Sequence, residues 1–128
     1  MLDMNSVMIN SEDPPRLAEF WTKVLGEPGF RDESYTGWKA GSAFLMVGPH
    51  SEVKGVSEMP GRILLNFETA DVTAEFQRIK DLGAAVVQEP YHPGPETEMP
   101  EFLMATFADP DGNYFQLCSP MPEMPTEG

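Results

Sequence analysis

The sequence predicts an α+β fold: two βαβββ modules whose paired, curved mixed sheets enclose a cavity and carry their helices on the outer faces. Three observations lead there. Two helix signatures, each opened by an aspartate and closed by a glycine, run from Asp13 to Gly26 and from Asp71 to Gly83. Each is preceded by one short apolar segment and followed by several more, so the order β-α-β-β-β occurs twice. The chain has 128 residues, 41% of them apolar, which suits one domain with a core. A module alone would leave one sheet face bare, so the two are expected to pair. Residues 1–120 are expected to form a single domain, with modules at about 4–48 and 62–118 and a flexible Pro- and Glu-rich tail at 121–128.

Residues 4–10 read as the first strand, with imperfect alternation. Asp13 can accept from the free N–H groups of the turn after it, and Pro14 suits the first helical position. Leu17, Phe20, Trp21, Val24 and Leu25 follow at the spacing of one helix face, and Gly26 ends it. Short strands are predicted at 29–34, 37–40 and 43–48, punctuated by Gly37 and Gly41. A polar connector spans about 49–61. Ile63, Leu65 and Phe67 then alternate with Leu64, Asn66 and Glu68, as in a strand with two different faces. Asp71 caps a second helix with Val72, Phe76, Ile79 and Leu82 on one face. Strands follow at 84–88, 102–107 and 114–118. A loop containing His92, Glu96, Glu98 and Glu101 precedes the second of these, and Asp109-Pro110-Asp111-Gly112-Asn113 precedes the last.

The charge balance is 21 carboxylates against 8 Lys and Arg, a net −13. Phosphate backbones and anionic lipid would be repelled, so neither nucleic acid nor membrane is an expected partner, whereas a cationic ligand would be attracted. The lone cysteine, Cys118, excludes a disulfide framework within the chain. The first residues lack the basic-then-apolar pattern of a secretory signal, and the expected address is cytoplasmic.

The stretch Asp13-Pro14-Pro15-Arg16-Leu17-Ala18-Glu19-Phe20-Trp21, ending in Val24-Leu25-Gly26, resembles the first helix of the vicinal-oxygen-chelate superfamily of glyoxalases, bleomycin-resistance proteins and ring-cleaving dioxygenases. Phe107-Ala108-Asp109-Pro110-Asp111-Gly112-Asn113-Tyr114-Phe115 resembles its closing hairpin, and the two together are closest to the glyoxalase-like branch. The resemblance implies homodimers and, in the enzymes, one divalent metal held from the first and last strands of each half. Those positions fall at Ser6, near Leu45, at Leu64 and at Gln116. Three of these are not useful ligands for such an ion and the fourth is a neutral amide, so no metal and no other cofactor is expected.

Taking those positions as inward, strand alternation points Met4, Ser6, Met8 and Asn10, then Ala43, Leu45 and Val47, then Arg62, Leu64, Asn66 and Glu68, and finally Tyr114, Gln116 and Cys118 toward the cavity. The expected ligand set is Ser6, Met8, Asn10, Trp38, Leu45, Leu64, Asn66, Glu68, Tyr114 and Gln116: amides, a phenol, a hydroxyl and a carboxylate among apolar surface, as an organic ligand requires. Glu68 and His92 are the candidates for acid–base chemistry. The expected function is the binding of a small organic molecule, a cationic or amphiphilic compound being sequestered. A metal-dependent lyase, isomerase or dioxygenase is the alternative.

Overall fold

The computed structural model describes residues 1–94 and 101–120. Glu96, Glu98 and the 121–128 tail lie outside the described residues. The element order is β1 (Ser6–Ser11), α1 (Pro14–Leu25), β2 (Phe30–Arg31), β3 (Thr36–Ala40), β4 (Ala43–Pro49), β5 (Leu65–Glu68), α2 (Val72–Asp81), β6 (Ala85–Tyr91), β7 (Met104–Ala108) and β8 (Tyr114–Cys118). This is the α+β, twice-repeated βαβββ order. The strands form two four-stranded mixed sheets, ordered β1-β4-β3-β2 (sheet A) and β5-β8-β7-β6 (sheet B). By its contacts the chain divides into two compact units. One holds Met1–Glu58 with Asp109–Gly112, and the other the described residues of Met59–Ala108 and Asn113–Gly128.

In the first unit, Asp13 caps α1 by accepting from the Arg16 amide, and Gly26 closes it by donating to Thr22 O. The helix buries Leu17, Ala18, Trp21 and Val24. Phe20 and Leu25, also on the expected face, lie at its margin and stay half-buried. β1 runs parallel to β4, and β3 and β2 continue the sheet antiparallel. The registers place Val7, Leu45 and Trp38 in one row and Ile9, Val47 and Thr36 in the next. Trp38, Leu45 and Val47 are almost completely buried, and the Trp38 indole N–H donates to Gly26 O at the end of α1. This is the face that α1 covers. The Asp109–Gly112 loop is held to the same unit by Arg16, which donates to Pro110 O and lies 3.7 Å from the Asp111 carboxylate, and by the Ser57 amide donating to Asp111 O.

In the second unit, Asp71 caps α2 by accepting from the Ala74 amide at 3.0 Å. Val72, Phe76 and Ile79 are buried, whereas Leu82 lies past the last full turn as the C-cap and is exposed. Phe76 stacks on Phe107, Phe107 stacks on Phe115, and Phe115 meets Phe67 edge to face. This aromatic column fixes Leu65, Phe67, Phe115, Leu117, Ala105 and Phe107 as the helix-covered face of sheet B.

Several expected boundaries move: the first strand begins at Ser6, and β6 runs on to Tyr91. The 29–34 strand shrinks to Phe30–Arg31, because the Asp32 carboxylate accepts from the Ser34 and Tyr35 amides and turns the chain there. β5 begins at Leu65, because Arg62 closes a turn by donating its amide to Met59 O. Arg62 and Leu64 therefore stand before the strand and not within it. β7 begins at Met104, two residues after the expected start.

Candidate functional site

Each sheet has a second face, turned away from its helix, and these are the surfaces on which ligand-binding residues were expected. On sheet A the rows of that face are Ser6, Phe44 and Lys39, then Met8, Met46, Gly37 and Phe30, then Asn10 beside Gly48. Two glycines shape it. A Cβ at Gly37 would collide with the Phe44 ring, and a Cβ at Gly48 would collide with the Tyr35 ring. Both rings therefore lie directly against bare backbone. Asn10 Oδ1 is buried and has no hydrogen-bond partner among the described residues.

This corrects the sequence-based orientation of β4. Leu45 and Trp38, expected among the ligand-binding residues, belong to the face under α1, as does Val47. Phe44 and Met46 take the other side, with Ser6, Met8 and Asn10. The cause is that both faces of β4 are apolar, so alternation carries no sign there, and only pairing with β1 fixes it. Phe44 and Met46 were missed for that reason, and Phe30, in the two-residue β2, was given no orientation. The usable signal was the pair of glycines, Gly37 and Gly48, in otherwise bulky strands.

Sheet B follows the expected orientation. Asn66 pairs in register with Gln116 and Glu68 with Cys118, and Tyr114 lies on the same face. Asn66 and Glu68 are exposed, and Gln116 and Tyr114 are half-buried. The face also holds Thr106 and Met104 of β7 and Gln88 of β6, which sequence reasoning did not include. The Gln116 amide donates to Thr106 Oγ1 at 3.2 Å, so its carbonyl end is oriented by a neighbour in its own sheet. Partial burial, and next the negative charge of Glu68, push the Cys118 thiol pKa above its ordinary value. Cys118 is thus favoured in its protonated form at neutral pH. His92 is held in its loop by Nδ1–H donating to Phe102 O at 3.2 Å.

The donor chemistry does not fit a divalent cation at the positions the family resemblance indicates. Ser6 is an exposed neutral hydroxyl, and Leu64 has no donor atom. The β4 residue in register with Ser6 is Phe44. Gln116 offers only a neutral amide carbonyl, its Nε2–H donating to Thr106 Oγ1. Among the described residues no group of three or more His, Cys, Asp or Glu side chains could hold a metal elsewhere. A half-open concavity of about 660 Å³ lies on the α1 side of sheet A, lined by Pro14, Ala18, Arg31, Asp32 and Pro49 among others. It holds charges of both signs on exposed side chains and none of the expected ligand-binding residues. Among the described residues no helix is long and apolar enough to cross a membrane.

The family model described as a glyoxalase-like domain matches residues 6–118. No curated protein matches the chain significantly. Among solved structures, a glyoxalase/bleomycin resistance protein/dioxygenase family enzyme from Burkholderia phytofirmans PsJN is 20% identical, with a TM-score of 0.72 over 94% of this chain and 100% of that one. A glyoxalase-related enzyme from Fulvimarina pelagi is 18% identical, with a TM-score of 0.72 over 94% of this chain and 89% of that one. The fosfomycin resistance protein FosX from Mesorhizobium loti is 15% identical, with a TM-score of 0.64 over 91% of this chain and 90% of that one. At these identities the structures speak for the fold alone. With the duplicated βαβββ order and a family match over nearly the whole chain, the protein belongs to the glyoxalase-like domain family.

Proposed function

We propose that this protein binds a small organic molecule on the helix-free faces of its sheets and does so without a divalent metal. The observation that carries the reading is the side-chain chemistry of those faces. Where the family's metal enzymes place imidazole and carboxylate, this chain places Ser6, Phe44, Leu64 and the neutral amide of Gln116. Each face also carries groups suited to an organic ligand: Phe44 and Met8 on that of sheet A, and Asn66, Gln116 and Tyr114 on that of sheet B. Such a surface recognises ligands by packing and a few neutral hydrogen bonds. The net charge of −13 favours a cationic or amphiphilic ligand over an anionic one. Glu68, exposed at the end of β5, is the carboxylate placed to meet positive charge.

Metal content tests the reading first. The protein is purified without chelator or affinity metal, offered zinc, nickel, manganese and iron separately, dialysed, and its ions counted per chain. The expected result is far below one ion per chain for every metal, with no rise in melting temperature on metal addition. One tightly held ion per chain would overturn the metal-free reading and give the metal-dependent lyase, isomerase or dioxygenase first place.

A further inference from the structure

We propose that the face of sheet A turned away from α1 is a platform for a planar aromatic ring system carrying an N–H or O–H donor. This rests on the small-molecule reading above and names the class of molecule. Three rings lie on that face: Phe30 beside Gly37, Phe44 over Gly37, and Tyr35 over Gly48. None of the three has a ring partner among the described residues, in contrast to sheet B, whose phenylalanines stack into a column under α2. Met8 and Met46 share the row of Phe30, and Phe30 and Met8 are 43% and 48% exposed.

The glycines make the surface flat. A Cβ at Gly37 or Gly48 would stand where the Phe44 and Tyr35 rings now lie, so those rings rest on the sheet rather than rising from it. Rings laid down with a face uncovered offer π surface and adaptable thioethers, and a planar ligand meets both with little loss of conformational freedom. An alkyl chain would gain the burial but not the ring–ring geometry. At one end of the platform, Asn10 Oδ1 is withdrawn from solvent and unpaired among the described residues. A buried acceptor left without a donor is costly, and a ligand N–H or O–H placed there would remove the cost. At the other end, Lys39 shares the row of Ser6 and Phe44, so the donor-bearing edge belongs at Asn10 and not beside the lysine.

The test uses three probes on the full chain, by calorimetry and by quenching of probe fluorescence, at about 0.15 M salt so that non-specific attraction to the acidic surface is screened. Proflavine is planar with N–H donors. Acridine is planar and lacks them. Decylamine is cationic and not aromatic. The expected order is proflavine tightest, then acridine, then decylamine. Phe30→Leu and Tyr35→Leu should each weaken both planar probes about threefold to tenfold and leave decylamine unchanged. Asn10→Ala should narrow the gap between proflavine and acridine by about fivefold. Phe30→Leu changes an exposed side chain, so it keeps the test valid should Tyr35→Leu disturb the sheet, and circular dichroism checks each variant. Decylamine binding without either planar probe would sink this inference and leave the small-molecule reading standing. Planar probes that bind undiminished to all three variants, or do not bind the parent protein, would also overturn it. One metal ion per chain in the earlier experiment is the result that removes the parent reading.

Discussion

At the scale of single residues, two side chains carry consequences that their letters do not announce. Cys118 stands in register with Glu68 on the helix-free face of sheet B, and its thiol pKa is raised by partial burial and then by that carboxylate. The thiolate is the reactive form, so alkylation by iodoacetamide should be slow at neutral pH, with a midpoint above the ordinary thiol value of 9.0. Glu68→Gln should move the midpoint down, and a midpoint at or below the ordinary value would contradict the placement. The linkage sign follows. With a raised folded pKa, the thiol's contribution to stability is intact below about 9.0 and declines as pH climbs through the folded value. Trp38 is the second case. Its indole N–H donates to Gly26 O at 2.9 Å, and the side chain is 2% exposed, so it ties β3 to the end of α1. Trp38→Phe removes the donor, strands a carbonyl and leaves a small void. A loss of roughly 1–3 kcal/mol in urea denaturation is expected, and an unchanged midpoint would mean that the bond contributes nothing. The role of Trp38 was not legible in the sequence. A tryptophan between Gly37 and Lys39 fits either face of a short strand, and only the closure of α1 against the sheet decides which.

At the scale of elements, the helices were legible and the strands were legible in part, for one physical reason. A helix carries its own punctuation. Asp13 and Asp71 cap, Gly26 and Gly83 follow the ends, and the apolar stripe has a period the chain shows by itself. The two caps nevertheless differ in quality. Asp71 accepts from Ala74 N at 3.0 Å, whereas Asp13 accepts from Arg16 N at 3.4 Å, and the proline after Asp13 already presets the first helical residue. Asp71→Ala should therefore cost about 1 kcal/mol and Asp13→Ala a smaller amount. Chemical denaturation of the two variants side by side measures the difference, and the reverse order would show that hydrogen-bond length does not rank these caps. A strand's orientation depends on its neighbour. β5 and β8 alternate polar with apolar, so Asn66, Glu68, Tyr114 and Gln116 were placed correctly from sequence. β4 is apolar on both sides, and its sign came only from the parallel register with β1, which moved Leu45 under the helix and Phe44 out from under it.

At the scale of the whole molecule, the duplication was the most legible feature, because it repeats strong signals at a fixed offset and does not depend on any single boundary. Both halves use the same pairing: the first strand of each lies parallel to the last, β1 with β4 and β5 with β8. The net charge of −13 is equally plain in the sequence, and it acts on the molecule as a body. Folding gathers carboxylates that the extended chain holds farther apart, so their mutual repulsion weighs against the native state. Among the described residues, opposing attraction comes from pairs on or near the surface, such as Lys23 with Glu19 and Arg78 with Glu75, and exposed pairs contribute little. Repulsion should win. Since the screening length falls from about 30 Å at 0.01 M salt to about 10 Å at 0.1 M, the melting temperature should rise as sodium chloride is added over that range. A cationic ligand should show the opposite trend, binding more weakly as the same field is screened. A melting temperature that falls with salt would mean that the ion pairs outweigh the surplus of negative charge, and it would remove the electrostatic ground for preferring a cationic ligand.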